Sequence, residues 1–363
     1  MTDSSNINSV TARAIAFYLP QFHPIPENDE WWGTGFTEWT NTAKAKPLFR
    51  GHHQPNTPAD LGFYDLRVPE SRIAQAEMAK KYGIEGFCYY HYWFAGKRLI
   101  ERPFNEVLES GEPDFPFCLC WANQTWTGIW HGAPNRILIE QTYPGMQDYE
   151  DHFYELLKAF TDKRYITVDG KPVFLIYRPT EIPELNKVTD FWRELAVKEG
   201  LPGLHLVGVS HFETWNPANF GLDAAVDQRL QGKNNHISNA FPLLKLQALF
   251  GKQLPTIYNY EEIITTLVRT EMPDYESYPC VIPNWDNTPR SGTNGVVFKN
   301  VTPELFQQQL QRAVERIKPL PENRKFIFLK AWNEWAEGNY VEPDLRSGTL
   351  FLDIIQKALK VPT

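Results

Sequence analysis

Eight short apolar runs recur along the chain, each ended by a polar or turn-forming residue. They cover residues 13–19 (RAIAFYL), 84–90 (IEGFCYY), 116–120 (PFCLC), 172–177 (PVFLIY), 205–210 (HLVGVS), 224–227 (AAVD), 280–283 (CVIP) and 326–329 (FIFL). Runs that are nearly continuous rather than alternating indicate parallel strands buried on both faces. Between them, helical spacing predicts helices over residues 68–82, 104–108, 149–161, 189–198, 261–269, 303–318 and 350–359, with another around 242–250. In the first helix Ile73, Ala76, Met78 and Ala79 are expected to face the core. Thr302 reads as the cap of the helix at 303–318.

Strands alternating with helices imply a parallel sheet, and eight of them imply closure. The fold class expected is therefore α/β, a single (β/α)8 TIM barrel with long aromatic-rich loops at its C-terminal face. The joints support this. Helix-to-strand joints are short, such as Gly83 or residues 319–325, whereas several strand-to-helix segments are long and aromatic, above all residues 20–67. That asymmetry belongs to barrels whose site is built from the loops after the strands. An open dinucleotide-binding sheet is the alternative, and no G-x-G-x-x-G follows the first strand. Residues 1–12 read as a flexible tail and 13–363 as one barrel domain, without internal repeats or a linker.

Composition narrows the ligand. With 363 residues, a formal net charge of -8 and no basic block, the chain is not expected to bind nucleic acid. Aromatic residues make up 14%, including 12 Trp, and many fall in loops beside Asn, Asp, Glu and His, where core packing alone does not explain them. Cys88, Cys118, Cys120 and Cys280 lie in apolar runs and read as buried thiols. No zinc spacing, calcium loop, H-E-x-x-H, P-loop or serine elbow occurs, and His52-His53 is too short a tract to indicate a metal, so no cofactor or metal is expected. The polar start and the lack of a long apolar stretch predict a cytoplasmic protein without a transmembrane segment.

The densest chemistry lies at residues 325–344, KFIFLKAWNEWAEGNYVEPD, where a strand opens into Trp332, Asn333, Glu334, Trp335, Glu337 and Gly338. On a continuing strand the two acids would diverge; a helical or 3₁₀ turn, allowed a positive φ at Gly338, brings positions i and i+3 about 5–6 Å apart. Carboxyl pairs of retaining glycosidases lie about 5–5.5 Å apart, and such a pair in a shared dry site splits into an acid and a base. The plainer reading pairs these acids with Lys330 and Arg346. Their place after a buried strand, among indoles, favours catalysis by Glu334 and Glu337. In a barrel the other strand exits converge on them: Tyr18 and Gln21; Tyr90, His91, Tyr92 and Trp93; Trp121, Asn123 and Trp126; Tyr177; His211; Asn284, Trp285 and Asp286; and Trp332, Asn333 and Trp335. Aromatic faces mixed with neutral hydrogen-bonding groups suit a sugar.

F-Y-L-P-Q-F-H, W-G-x-G-F-T-E-W, Y-Y-H-Y-W-F, C-W-A-N and W-N-E-W-A-E-G together resemble the WbsX-like proteins, which are associated with lipopolysaccharide O-antigen gene sets and related to glycoside hydrolase family 99. The resemblance runs from about Ala14 to Asp344. It implies a metal-independent (β/α)8 enzyme that cleaves α-mannosidic bonds with retention, with Glu334 drawing the proton from the sugar 2-hydroxyl and Glu337 as general acid/base. It also implies an oligosaccharide or polysaccharide partner and peripheral association with membrane polysaccharide-assembly machinery. A glycosyltransferase of polysaccharide assembly and an inactive glycan-binding barrel remain the alternatives.

Overall fold

The computed structural model describes residues 12–128, 133–211 and 215–359. Its eight barrel strands are β1 (Arg13–Tyr18), β2 (Gly86–His91), β3 (Phe117–Trp121), β4 (Lys171–Ile176), β5 (His205–Ser210), β6 (Ala224–Asp227), β7 (Ser277–Val281) and β8 (Phe326–Leu329). Every neighbouring pair is parallel. β1 lies between β8 (Arg13 beside Phe326) and β2 (Ile15 beside Gly86), and the ring closes where His205 of β5 meets Val173 of β4. The expected TIM barrel is present. Its strands are buried almost throughout, as continuous apolar runs require.

The helices of eight or more residues are α1 (Pro69–Lys81), α2 (Arg102–Ser110), α3 (Met146–Phe160), α4 (Leu185–Lys198), α5 (Pro242–Leu249), α6 (Tyr260–Leu267), α7 (Pro303–Ile317) and α8 (Leu350–Leu359). Thr302 caps α7 by accepting from Leu305 N. Between β5 and β6 the described residues form only a 3₁₀ turn, Pro217–Phe220, so the alternation is incomplete there.

Three details differ from expectation. β7 begins at Ser277 rather than 280, because its start is polar and carries Pro279; Tyr278 shares a hydrogen bond with His205 Nε2 at 2.9 Å, and pairing with β8 starts only at Cys280. The inward face of α1 is Arg72, Gln75, Ala76 and Ala79, while Ile73 and Met78 are half-buried. That stripe keeps helical spacing but carries polar groups with specific partners: Arg72 Nη1 reaches Glu106 Oε2 at 2.7 Å, and Gln75 serves Glu342. Residues 20–67 contain two helices too short to show a period, Pro26–Trp32 and Glu38–Lys44. Of the expected tail, residues 1–11 lie outside the described residues and Ala12 is buried.

Elaboration is concentrated at the C-terminal ends of the strands, where the loops add small ribbons such as Trp93–Phe94 with Lys97–Arg98. Among the described residues no helix is long and apolar enough to cross a membrane.

Candidate active site

Beyond β8 the chain folds back within a few residues. Asn333 and Glu334 pair antiparallel with Tyr340 and Asn339 around a 3₁₀ turn, Trp335–Glu337. Gly338 ends the turn at φ 58°, and a Cβ there would lie 2.9 Å from Asp286 Cβ, so only glycine fits. Three anchors fix the turn. Asn333 imitates a backbone partner for the exit of β1, accepting from Leu19 N at 2.8 Å and donating to Leu19 O at 3.0 Å. Asp286 N donates to Glu337 O at 2.7 Å. Trp335 stacks on Tyr340 and donates from Nε1 to Glu342 Oε2 at 2.6 Å. Glu342 also accepts from Gln75 Nε2 (2.7 Å) and Tyr64 OH (2.8 Å), yet burial pushes its carboxyl up to about 7.

The turn delivers Glu334 and Glu337 to one guanidinium. Arg290 Nη2 lies 3.5 Å from Glu334 Oε2, and its Nη1 lies 2.5 Å from Glu337 Oε1. Nη2 also meets Glu38 Oε1 at 2.7 Å, and Glu38, fully buried, accepts from Ala336 N at 2.9 Å. Lys330 Nζ donates to Glu334 Oε1 at 3.0 Å and to Tyr90 OH at 2.8 Å. Burial disfavours both charged acids, but they separate. The charges of Lys330 and Arg290 and the hydrogen bonds of Glu334 hold its pKa below the ordinary range. Burial and the negative charge of Glu334 push Glu337 up to about 7, against the pull of Arg290 and Lys330. Burial also raises the Glu38 carboxyl, against the pull of Arg290 and the hydrogen bond from Ala336 N. Glu334 keeps 6% of its side chain exposed and Glu337 18%, so the protonated acid is the more open of the two.

Both acids open into a cleft of about 280 Å³ on the C-terminal face of the barrel. Of the residues expected from the sequence, Gln21, Tyr90, Tyr92, Trp126, Tyr177 and Trp285 join Glu334 and Glu337 on its wall. The others sit elsewhere. Tyr18 donates to Gln75 Oε1 behind the turn, Trp332 is fully buried, and Asn333 and Trp335 are the anchors just described. His91 pairs with His152 at 2.9 Å in a buried stack with Trp93, and burial drives both imidazoles well below their usual range. Trp121 donates to Trp93 O, and Asn123 ties the loop after β3 to Arg178 through both backbone groups. His211 leans on Tyr177, 4.7 Å between ring centres. Asn284 and Asp286 face a separate groove of about 400 Å³, where Asp286 Oδ2 meets His52 Nε2 and Gln54 Nε2, each at 2.7 Å. Among the described residues no His, Cys, Asp and Glu cluster is arranged to hold a metal.

The sequence profile of the family described as Glycosyltransferase WbsX matches residues 14–355. The chain belongs to the WbsX family. WxcX of Xanthomonas campestris pv. campestris is 38% identical over 353 residues, which is 97% of this chain and 50% of that protein. The chain thus spans about half the length of the curated relatives it matches. Among solved structures, one titled a glycoside hydrolase-like protein superposes with a TM-score of 0.62 at 17% identity, covering 100% of this chain and 98% of its own. The GH99 endo-alpha-mannosidase of Bacteroides thetaiotaomicron in complex with bis-tris propane gives 0.59 at 14% identity, covering 96% of each chain. At these identities the likeness is one of fold.

Around this WbsX-family cleft, sequence reasoning missed Arg290, Trp32 and, behind Arg290, Glu38, and treated Lys330 only as a neutralising partner. Signals existed for three of them. Lys330 is the first residue past β8, a position that reads as catalytic in a barrel. Trp32 and Glu38 lie within the W-G-x-G-F-T-E-W motif. Nothing local joins Arg290 to Glu38 across 252 residues of chain.

Proposed function

We propose that this cleft cleaves α-mannoside-like linkages of a bacterial polysaccharide with retention, as a glycoside hydrolase or transglycosylase. The observation that carries the reading is the opposed setting of two acids in one sugar-sized, aromatic-walled cleft: Glu334 faces Lys330 and Arg290, while Glu337 faces the negative charge of Glu334. Ionised Glu334 takes the proton of the sugar 2-hydroxyl, and that oxygen attacks C1 as the bond to the leaving oxygen breaks. Protonated Glu337 gives its proton to the leaving oxygen. In the second half the Glu337 carboxylate takes a proton from water or a sugar hydroxyl, whose oxygen attacks C1. The C1–O2 bond breaks as that oxygen attacks, and O2 recovers its proton from Glu334. Tyr90, Tyr92, Trp126 and Trp285 supply faces for the ring, and Gln21 supplies an amide. Four buried free thiols suit a reducing compartment, and the cytoplasm is part of this proposal.

A glycosyltransferase of polysaccharide assembly is the second reading, favoured by the family description and by two buried cations, Arg290 and Lys330, at the cleft. Arg290 is already engaged by Glu38, Glu334 and Glu337, and Lys330 by Glu334, so a donor diphosphate would have to displace a carboxylate to reach either cation. An inactive glycan-binding barrel would not need the opposed acids. The test is a library of α-linked mannosides followed by anomer-resolved NMR. The first product is expected with retained configuration, and Glu337→Gln should lower turnover by about 10²–10⁴-fold while glycan binding persists. Unchanged turnover in that variant, or nucleotide release that depends on an acceptor sugar, would overturn the hydrolase reading.

A further inference from the structure

From Gln228 to Tyr260 the chain contains no Asp or Glu, yet it holds Arg229, Lys233, Lys245 and Lys252 in a protein of net charge -8. Within this segment α5 is apolar on two faces. Leu244, with Phe241 just before the helix, packs inward on Phe49, Ile257 and Val297. Leu243, Leu246, Leu249 and the adjoining Phe250 point away, with exposures of 71, 49, 83 and 83%. A helix that is apolar all round is normally covered all round, and exposed apolar clusters beside polar rims mark interaction surfaces. Among the described residues nothing covers the second face of α5. The lysines around it have only neutral partners there: Lys233 donates to Asn294 Oδ1, Lys245 to Asn239 Oδ1 and Lys252 to Gln247 Oε1.

We propose that this face of α5 docks on an anionic phospholipid surface. Leu243, Leu246, Leu249 and Phe250 enter the headgroup–acyl boundary, and Lys233, Lys245 and Lys252 meet lipid phosphates. The charge pattern selects this occupant over a second copy of the chain. A two-fold contact would set the patch against itself, bringing Lys245 and Lys252 of both copies together, while Glu262, which contacts the segment, is held by Ser238 Oγ at 2.7 Å rather than by either lysine. The position of the patch gives it a consequence. α5 follows β6 on the cleft-bearing side of the barrel and rests on Phe49 and Val297 from the loops after β1 and β7, so docking holds the cleft beside the membrane.

Flotation of the whole chain with phosphatidylcholine vesicles, with and without phosphatidylglycerol, tests the proposal. Binding is expected only with phosphatidylglycerol, and release at about 1 M salt, where the screening length falls to about 3 Å. Leu249→Gln with Phe250→Gln should weaken binding on the order of tenfold or more. Lys245→Gln and Lys252→Gln should each weaken it about fivefold. The proposal fails if the wild-type chain does not float, if lipid charge makes no difference, or if light scattering finds a dimer that the Leu249→Gln/Phe250→Gln variant dissociates.

Discussion

At the scale of single residues, Glu334 and Glu337 are the same chemical group three positions apart, and what separates them is the charge each faces. Glu334 has an ammonium 3.0 Å away as well as Arg290, whereas Glu337 shares Arg290 and feels Glu334 as a like charge. If Glu334 is the base and Glu337 the acid, as proposed, activity needs Glu334 ionised and Glu337 protonated. It is lost as pH falls through the lowered pKa of Glu334 and as pH rises through about 7 at Glu337. The two limbs belong to the coupled pair rather than to either acid alone. Lys330→Met removes the ammonium but keeps the length of the side chain. It should move the acid limb of kcat/KM to higher pH by about one unit, a roughly tenfold loss on that limb, and narrow the bell. An acid limb left in place would show that Lys330 does not hold the Glu334 charge. The two acids were legible in the sequence because they sit in one motif. Arg290 was not, because the partners that give it meaning, Glu38 and Glu337, lie 252 and 47 residues away.

At the scale of elements, the turn after β8 depends on Gly338 for two separable reasons, its backbone conformation and its closeness to Asp286. Gly83, between α1 and β2, has the first requirement without the second: φ is 83° and nothing lies within 4 Å of the point a Cβ would occupy. Alanine at either site costs about 1–2 kcal/mol of backbone strain. At Gly338 the added Cβ must also displace Asp286, whose N–H holds Glu337 O, so the acid moves with it. Gly338→Ala is therefore expected to lower kcat by about 10² or more, since small misplacements of catalytic groups are expensive. Gly83→Ala should shift only the unfolding midpoint. Equal kcat values in the two variants would mean that the contact with Asp286 does not position Glu337. The positive φ and the 3₁₀ turn were readable from W-A-E-G. The placement of its indoles was not: an aromatic beside a carboxylate looks alike in sequence whether it walls a cleft, as Trp285 does, or backs a turn, as Trp335 does.

At the scale of the molecule, the barrel was legible because buried parallel strands are written as uninterrupted apolar runs, and it blurred wherever burial was polar, as at Tyr278 in β7 or Gln75 in α1. The same polar burial sets how the whole fold responds to pH. Glu342 joins α1 through Gln75, the first loop through Tyr64 and the turn after β8 through Trp335, and its pKa rises from the ordinary 4.5 to about 7. Below 4.5 the folded and unfolded chains both hold this proton, so it changes nothing. Between 4.5 and about 7 the unfolded chain releases it while the folded one keeps it, and stability falls as pH rises. Above 7 the full cost, on the order of 3 kcal/mol, is in place. Carboxylates with lowered pKa, such as Asp65, Glu106 and Asp162, act in the opposite sense, but only at more acidic pH. The imidazoles of His23, His91, His152, His205 and His211, held below their usual range by burial, act in the opposite sense over the same window, because only the unfolded chain protonates them there. The Glu342 contribution is therefore read as a difference: in urea unfolding between pH 5 and about 8, Glu342→Gln, which carries a neutral amide at every pH, should gain stability relative to the wild-type chain as pH rises, and Glu337→Gln should do the same, because its shift has the same sign. A pH dependence identical to the wild type in both variants would place the proton uptake at other groups and leave Glu342 ionised within its ring of donors.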